Sequence, residues 1–269
     1  MKLFDATLDL ARATRGIERH RITSANFLMR EMILITMAAF PREYSGGALW
    51  FITGASAGEA TPILSAIDQR ITIKTAPKKG YKNGDEVVIS PWLDWTLQEL
   101  ENAVNNVLAH YPVMKRLELP ATADGIYELP REVYDVRRVE TKRSDREWQV
   151  NHYWEQSGKT VMIHNPSPYI ERVRIHYAAD HGAIGWGERI DDSVDGDTLR
   201  KLAILNLWRN EITTKKRDNA AAVDLYNEAK NYEAEIKRNN TLLNRLLKSK
   251  NKEKTQTVRF LSNGIRINS

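Results

Sequence analysis

A chain of 269 residues with 42% hydrophobic and 28% charged residues is long and apolar enough for one large or two modest packed domains, which excludes a tail or linker. The absence of cysteine excludes disulfide staples, thiolate metal sites and cysteine nucleophiles. There is no run of about 18 apolar residues that would mark a membrane span, and the first residues lack the regions of a signal peptide; synthesis in the cytoplasm and no membrane partner are the expectation.

The net charge of +5 is unevenly placed, with thirteen Lys and Arg against seven Asp and Glu between Arg209 and Arg259. The remainder is close to neutral. A local basic excess reads either as a solvated helix face or as a surface for an acidic partner or nucleic acid.

In chain order, Leu3, Ala6, Leu10 and Ala13 share one side of residues 3–14, with Gly16 after the last turn, which predicts a short amphipathic helix. The stretch from Arg15 to Arg30 carries Arg19 and Arg21 and shows no apolar period in its first half, so a loop is expected there. Met32 to Met37 reads as a first strand. From Gly46 to Ser90, four short runs rich in β-branched and aromatic residues (Leu49–Thr53, Glu59–Ile67, Arg70–Thr75 and Asp85–Ile89) alternate with turn residues, the pattern of a small β module. Asn83-Gly84 is its strongest turn signal, and Trp50 is expected inside its core.

Pro91 suits a first helical position, and Trp92, Trp95, Leu100, Ala103, Val107 and Leu108 recur at helical spacing, so a helix is expected over 91–111 with both tryptophans as core anchors. Strand alternation returns in Tyr134–Glu140, Trp148–Trp154, Thr160–His164 and Arg172–Tyr177, a second β layer. Arg172, Arg174 and His176 fall on one exposed face of an expected edge strand. Asp197 reads as the cap of a helix apolar nearly all round through Leu199, Leu202, Ala203, Leu205, Leu207, Trp208 and Ile212. A second helix over Ala220–Lys248 would complete an antiparallel hairpin. Residues 248–257 contain no apolar side chain, after which Val258, Phe260, Ile265 and Ile267 alternate around Asn263-Gly264. A ribbon this short is marginal alone in water, so the end of the chain is expected to dock on a neighbour.

The fold class expected is therefore α+β: an N-terminal helix, a central helix and a C-terminal helical hairpin, with two antiparallel β layers and an extended arm. The expected segments are 1–30, 31–90, 91–112, 113–190, 191–248 and 249–269.

Little in the chain points to chemistry. Gly54 to Glu59 has three residues between its glycines followed by Glu, where a phosphate loop needs four and then Lys. Asp191, Ser193 and Asp195 precede Gly196 as in a calcium loop, but Leu202 stands where the bidentate Glu belongs. His20, His110, His152, His164, His176 and His181 form no ligand pair at metal spacing. No catalytic, metal or cofactor residue is assigned. Arg245, Lys248, Lys250, Lys252 and Lys254, with Phe260 beyond, suit phosphate neutralisation and one stacking ring, although docking on a protein surface is the leading reading of this arm.

The order of an N-terminal DATLDLAR helix, a GGALWF to GDEVVIS module, YELPREVYDVRRVE, RVRIHY, DTLRKLAILNLWRNEI and VDLYNEAKNYEAEIKR resembles the head-to-tail connector (adaptor) proteins of tailed bacteriophages. The most specific parts are Glu128 to Pro130 leading into Val136 to Val139, and Leu225 to Ile236. The resemblance implies a non-enzymatic virion protein of the neck, in a ring commonly of twelve copies, seated under the portal protein, continuing the DNA channel and meeting a tail or nozzle protein. It further implies subunit contacts through Leu205, Trp208, Arg209, Tyr226, Tyr232 and Ile236. The portal-docking arm would comprise Lys248, Lys250, Lys252, Lys254, Val258, Arg259, Phe260, Leu261, Ile265 and Ile267. Two other readings stand beside it: a tail-terminator or stopper ring, and a carbohydrate-binding module using Trp50, Trp148 and Trp154 as sugar platforms.

Overall fold

The computed structural model describes residues 1–35, 44–91, 95–144, 146–214, 227, 230–236 and 238–239. The chain divides into two compact units, one built from Met1–Ala109 with Gly182–Ile236 and the other from His110–His181. The first unit is thus discontinuous in sequence, joining segments that the sequence alone presents as separate.

Its centre is a closed antiparallel barrel of six strands in the order β1-β2-β5-β4-β3-β6. The strands are β1 (Glu18–Asn26), β2 (Glu31–Ile35), β3 (Ala48–Phe51), β4 (Ala60–Ile67), β5 (Arg70–Ile73) and β6 (Glu86–Ser90). Period-2 alternation sends Ile22, Met32, Leu34, Leu49, Phe51, Ile63, Ile71, Ile73, Val87 and Ile89 into one interior cluster with Tyr44 and Tyr81. A large apolar side chain buried in this way contributes about 1.5–3 kcal/mol, so the interior dominates the stability of the unit.

The expected small β module over 46–90 is corrected here, since it is part of a closed barrel that also takes in β1 and β2. Closure comes from β1, which lies in the arginine-containing stretch expected to be a loop. Only His20 and Ile22 of its first half turn inward or become buried, and Arg19 and Arg21 sit outside, both pairing with Glu86 on β6. Cross-strand ion pairs on the wet face replace the apolar alternation that marks an ordinary strand. A bulge between Ile22 and Ser24 lets the strand turn around the barrel.

Asn83-Gly84 is a turn, with Gly84 at φ 90°, but it joins no hairpin, because β5 and β6 are not neighbours. It packs instead across the barrel end: Gly84 donates its N–H to the Ile22 carbonyl at 2.7 Å, and the Asn83 side chain accepts from the Ala25 N–H at 2.9 Å. Trp50 is fully buried, yet it alternates with Leu49 and Phe51 and so faces away from the barrel interior, opposite Val88 on β6. At this seam a Cβ on Gly47 would lie 2.2 Å from the Ser90 carbonyl oxygen, which only glycine avoids.

The helices of the first unit are α1 (Leu3–Arg15), α2 (Leu97–Leu108) and α3 (Gly196–Thr214), which pack on one another, with α1 also against β6. The central helix starts later than expected. Thr96 is its N-cap, accepting the Glu99 N–H while the Glu99 carboxylate accepts the Thr96 N–H at 2.6 Å, a capping box. Trp95 therefore precedes the helix, and Trp92 lies outside the described residues.

Asp195, not Asp197, caps α3, through 2.8 and 2.6 Å bonds from the Thr198 N–H and hydroxyl. Asp197 instead pairs with Arg200 and Lys201. The Lys201 ammonium hydrogen-bonded to it, together with Arg200, outweighs partial desolvation and holds its carboxyl below the usual range. Of the expected second hairpin helix, residues 230–236 are helical, and most of the span 220–248 falls outside the described residues. The expected α+β fold built on a helical hairpin is corrected by the strands: the described residues are mostly β, in a closed barrel and two further sheets.

The second unit is two facing sheets. One has the order β10-β9-β13-β7, the other β11-β12-β8, from β7 (Pro112–Pro120), β8 (Ile126–Glu128), β9 (Val133–Lys142), β10 (Gln149–Asn151), β11 (Trp154–Ser157), β12 (Thr160–Ile163) and β13 (Arg172–Asp180). Val133, Val136, Val139, Val173, Ile175 and Tyr177 of the larger sheet meet Tyr127, Val161 and Ile163 of the smaller. The expected edge strand over 172–177 is central, paired along its length with β7 and β9.

Candidate docking surfaces

Three surfaces among the described residues have the composition of contact sites. The first is a cleft of about 490 Å³ between the helices of the first unit, lined by Ala13 and Thr14 of α1, Trp95, Ile204 and Trp208 of α3, and Asn231, Tyr232 and Glu235. The Trp208 and Tyr232 rings are 6.5 Å apart at 38°, and Arg209 bonds the Glu233 carboxylate beside them. Among the described residues, α3 carries large apolar residues around most of its circumference and is covered in part: Leu205 and Leu207 are buried, while Leu202, Ile204 and Trp208 are half-buried. The polar groups of the cleft sit at the wall: the Thr14 hydroxyl is occupied by the Leu10 carbonyl at 2.9 Å, and Glu235 and Asn231 are exposed.

The second is the tip of the β1–β2 hairpin. Asn26 accepts the Met29 N–H through its side chain at 3.2 Å, and Arg30 donates its N–H to the Phe27 carbonyl at 3.2 Å from the left-handed region, φ 56°. This tight loop leaves Leu28 91% and Met29 62% exposed, with Phe27 partly so. Phe27 is anchored edge-on to Tyr81 at 5.7 Å, and the Arg30 guanidinium is anchored to the Lys74 carbonyl at 2.7 Å. Tyr81 itself donates to the Asn26 and Glu31 carbonyls; burial, reinforced by the Glu31 charge, pushes its phenol up to about 12, so it remains a donor at any physiological pH. The sequence reading missed this tip. Its signal was Phe-Leu-Met isolated between polar residues.

The third is the outer face of the larger sheet in the second unit. The registered row Glu140, Arg174 and Glu118 lies beside the row Arg138, His176 and Arg116. Glu140 is the buried member, its side chain 7% exposed, and it accepts from His176 at 3.0 Å and from Arg174 at 3.3 Å, and pairs with Arg138. Burial acts to raise the Glu140 carboxyl, but the His176 hydrogen bond and charge, with Arg138 and Arg174, outweigh it and hold the group below the ordinary Glu range. Arg174 also stacks 3.9 Å over the Trp148 ring, a cation–π contact. Self-pairing of the arginines makes this an internally neutralised face rather than an open anion site.

Of the residues expected at subunit contacts, Trp208, Arg209 and Tyr232 come together at the cleft. Leu205 and Ile236 are buried within the chain itself, where they hold the helices together and present no surface to a neighbour. Tyr226 lies outside the described residues, as do all the arm positions from Lys248 to Ile267. The sugar-platform reading loses its residues: Trp50 is fully buried, Trp148 is covered by Arg174, and Trp154 packs against the sandwich core.

The Gly54–Gly58 turn holds the Asp85 carboxylate where a Cβ on Gly54 would be, 2.4 Å away, a charge that repels phosphate. Asp191 is turned onto Ser193 at 2.8 and 2.6 Å. No group of three or more metal-ligating side chains occurs among the described residues, and no described helix is long and apolar enough to cross a membrane. Comparison with protein-family models gives no match, and no curated protein matches the sequence.

Proposed function

We propose that this protein is a structural subunit of a ring, a head-to-tail adaptor of a tailed phage that seats against a portal protein and receives a tail or nozzle protein. The observation that carries the reading is that one compact unit bears two separate apolar surfaces, the aromatic cleft at Trp208 and Tyr232 and the Phe27-Leu28-Met29 tip. Exposed apolar features of this kind mark sites of association, and two different ones on a subunit suit a repeating head-to-tail contact. The sequence resemblance supports the same reading through the α3 stretch and residues 225–236. The second unit supplies a rigid charged sheet face, and the basic stretch from Arg245 to Lys254 suits an acidic partner surface or channel DNA.

Deleting residues 258–269 tests the reading. The expected result is a chain with an unchanged melting temperature that no longer attaches to portal-bearing capsids, measured by co-sedimentation. A fall in melting comparable to the loss of a core strand would show instead that the segment belongs to its own subunit's core. Full-length protein that cross-links through this segment to a tail protein and not to the portal would replace the adaptor reading with a stopper or tail-terminator.

A further inference from the structure

We propose that the β1–β2 hairpin tip and the lysine-bearing loop beside it form a docking surface for an anionic lipid bilayer, with Leu28 and Met29 entering its interface and the lysines resting on its phosphates. The inference goes beyond the ring reading and does not rest on it. The expectation of no membrane partner came from the lack of a spanning segment, which a loop that lies in the interface does not need. Seated on lipid, the tip attaches the subunit outward and leaves the aromatic cleft for contact with protein.

The apex of this surface is apolar and held in shape. Leu28 is 91% and Met29 62% exposed, on a loop fixed by the Asn26 side chain on the Met29 N–H and by Phe27 edge-on to Tyr81. Little conformational freedom is left to lose on binding.

Around the apex lies a basic collar. The chain leaving β5 runs alongside the tip: the Ile73 N–H donates to the Arg30 carbonyl at 2.9 Å, the Arg30 guanidinium donates to the Lys74 carbonyl at 2.7 Å, and a Cβ on Gly80 would touch the Phe27 ring at 3.8 Å. From Lys74 to Lys82 this loop carries four lysines, with Lys78 and Lys79 between, and no acidic residue. All four are exposed, as is Arg30. Among the described residues no carboxylate pairs with any of these five side chains. The nearby acids are otherwise engaged: Glu31 pairs with Arg70 at 3.5 Å, Glu59 accepts the Lys78 N–H at 2.8 Å, and the buried Asp85 accepts the Lys82 N–H at 3.0 Å.

The two halves together select lipid over other anions. A nucleic acid would use the lysines but leave Leu28 and Met29 in water, since neither offers a ring on which a base stacks, or would have to be unstacked around them. An acidic protein would have to supply a pocket shaped to this small knob, whose area falls far short of the roughly 800 Å² a side that a specific protein interface buries. A bilayer interface has no shape to match. It takes up apolar side chains and draws Lys and Arg to its phosphates.

The full chain is sedimented with sucrose-loaded vesicles of phosphatidylcholine alone or with about one-third phosphatidylglycerol, which supplies a negative surface potential. Partitioning at least about tenfold stronger to the anionic vesicles is expected. The basic stretch 245–254 is itself able to hold such vesicles, so the deciding readout is local. The native chain contains no cysteine, so Leu28→Cys carries a single environment-sensitive fluorophore, whose emission is expected to shift to the blue on anionic vesicles. The same label at Leu64→Cys, exposed on β4, is expected to stay unshifted. Lys78→Glu with Lys79→Glu should raise the lipid concentration for half-maximal shift at least about tenfold, since each basic side chain near an anionic surface is worth roughly a fivefold gain. Leu28→Asp with Met29→Asp, at exposed positions, is expected to keep the native circular dichroism spectrum and to weaken partitioning about tenfold or more. No shift at Leu28, a shift no larger than that at Leu64, or partitioning indifferent to the two aspartates overturns the inference. The same Leu28 shift with duplex DNA in place of vesicles would assign the surface to nucleic acid and overturn it as well. Copy number on the portal is a separate measurement, so the ring reading stands or falls apart from these results.

Discussion

Replacing Phe51 by Ala is expected to lower the stability of the first unit by about 3–5 kcal/mol, the usual cost of truncating a buried aromatic side chain. Phe51 has no exposed surface, stacks on Tyr81 at 5.7 Å and sits on β3, the strand that pairs with β6 from Ala48 to Phe51. The cavity would open beside Tyr81, whose hydroxyl holds the Asn26 and Glu31 carbonyls at the base of the hairpin tip. Loss of the phenyl ring therefore weakens both the interior and the support of the hairpin tip. Urea unfolding checks the magnitude, with Ile67→Ala, an exposed position on the same barrel, expected within about 0.5 kcal/mol of the parent. A Phe51→Ala effect under about 1 kcal/mol would contradict a closed, well-packed barrel.

Glu140→Ala is expected to cost roughly 1–3 kcal/mol, because it strands charged donors that now share one carboxylate. The cost carries a pH signature. The folded-state carboxyl lies below its unfolded value, so the native state holds the proton less tightly than the unfolded chain. Its contribution is complete above the unfolded value of about 4.3 and disappears as the pH falls through the lowered folded value. Melting temperatures of parent and variant, measured from neutral pH downward, are expected to differ most above about pH 5 and to converge in acid. A constant gap across that range would mean that Glu140 acts by packing and not by charge.

Strands β3 to β6 were legible because short runs rich in β-branched and aromatic residues are set apart there by turn residues. The barrel was not, because closure depends on β1 pairing with β6, more than sixty residues away in sequence, from Glu18 opposite Ile89 to Arg21 opposite Glu86. In β1 the outward positions carry Arg19 and Arg21 and one inward position carries His20, so the strand looks like a polar loop until its partners are known. The start of α2 could have been read from Thr96-Leu-Gln-Glu99, but Pro91 and the tryptophans at 92 and 95 offered a competing helix start. Arg174 and His176 suggested an edge strand, since their alternation shows a charged face and cannot show that Glu140 and Glu118 flank it on both sides.

The cleft was half legible. Trp208, Arg209 and Tyr232, which the structure places side by side at the cleft, were grouped by the resemblance alone. It could not separate them from Leu205 and Ile236, which share the same apolar character but face the chain's own helices. The tip was hidden for a different reason: three consecutive apolar residues carry no period, and their exposure follows only from the tight loop that Asn26 and Arg30 impose.

The central claim, that this chain assembles into a ring on a portal, is tested most directly by measuring the mass of the purified full-length protein with and without the portal protein. The expected result is a single copy in dilute solution and a closed multimer, about a dozen copies if the resemblance holds, once the portal is added. A chain that stays a stable monomer and leaves the portal unoccupied contradicts the account.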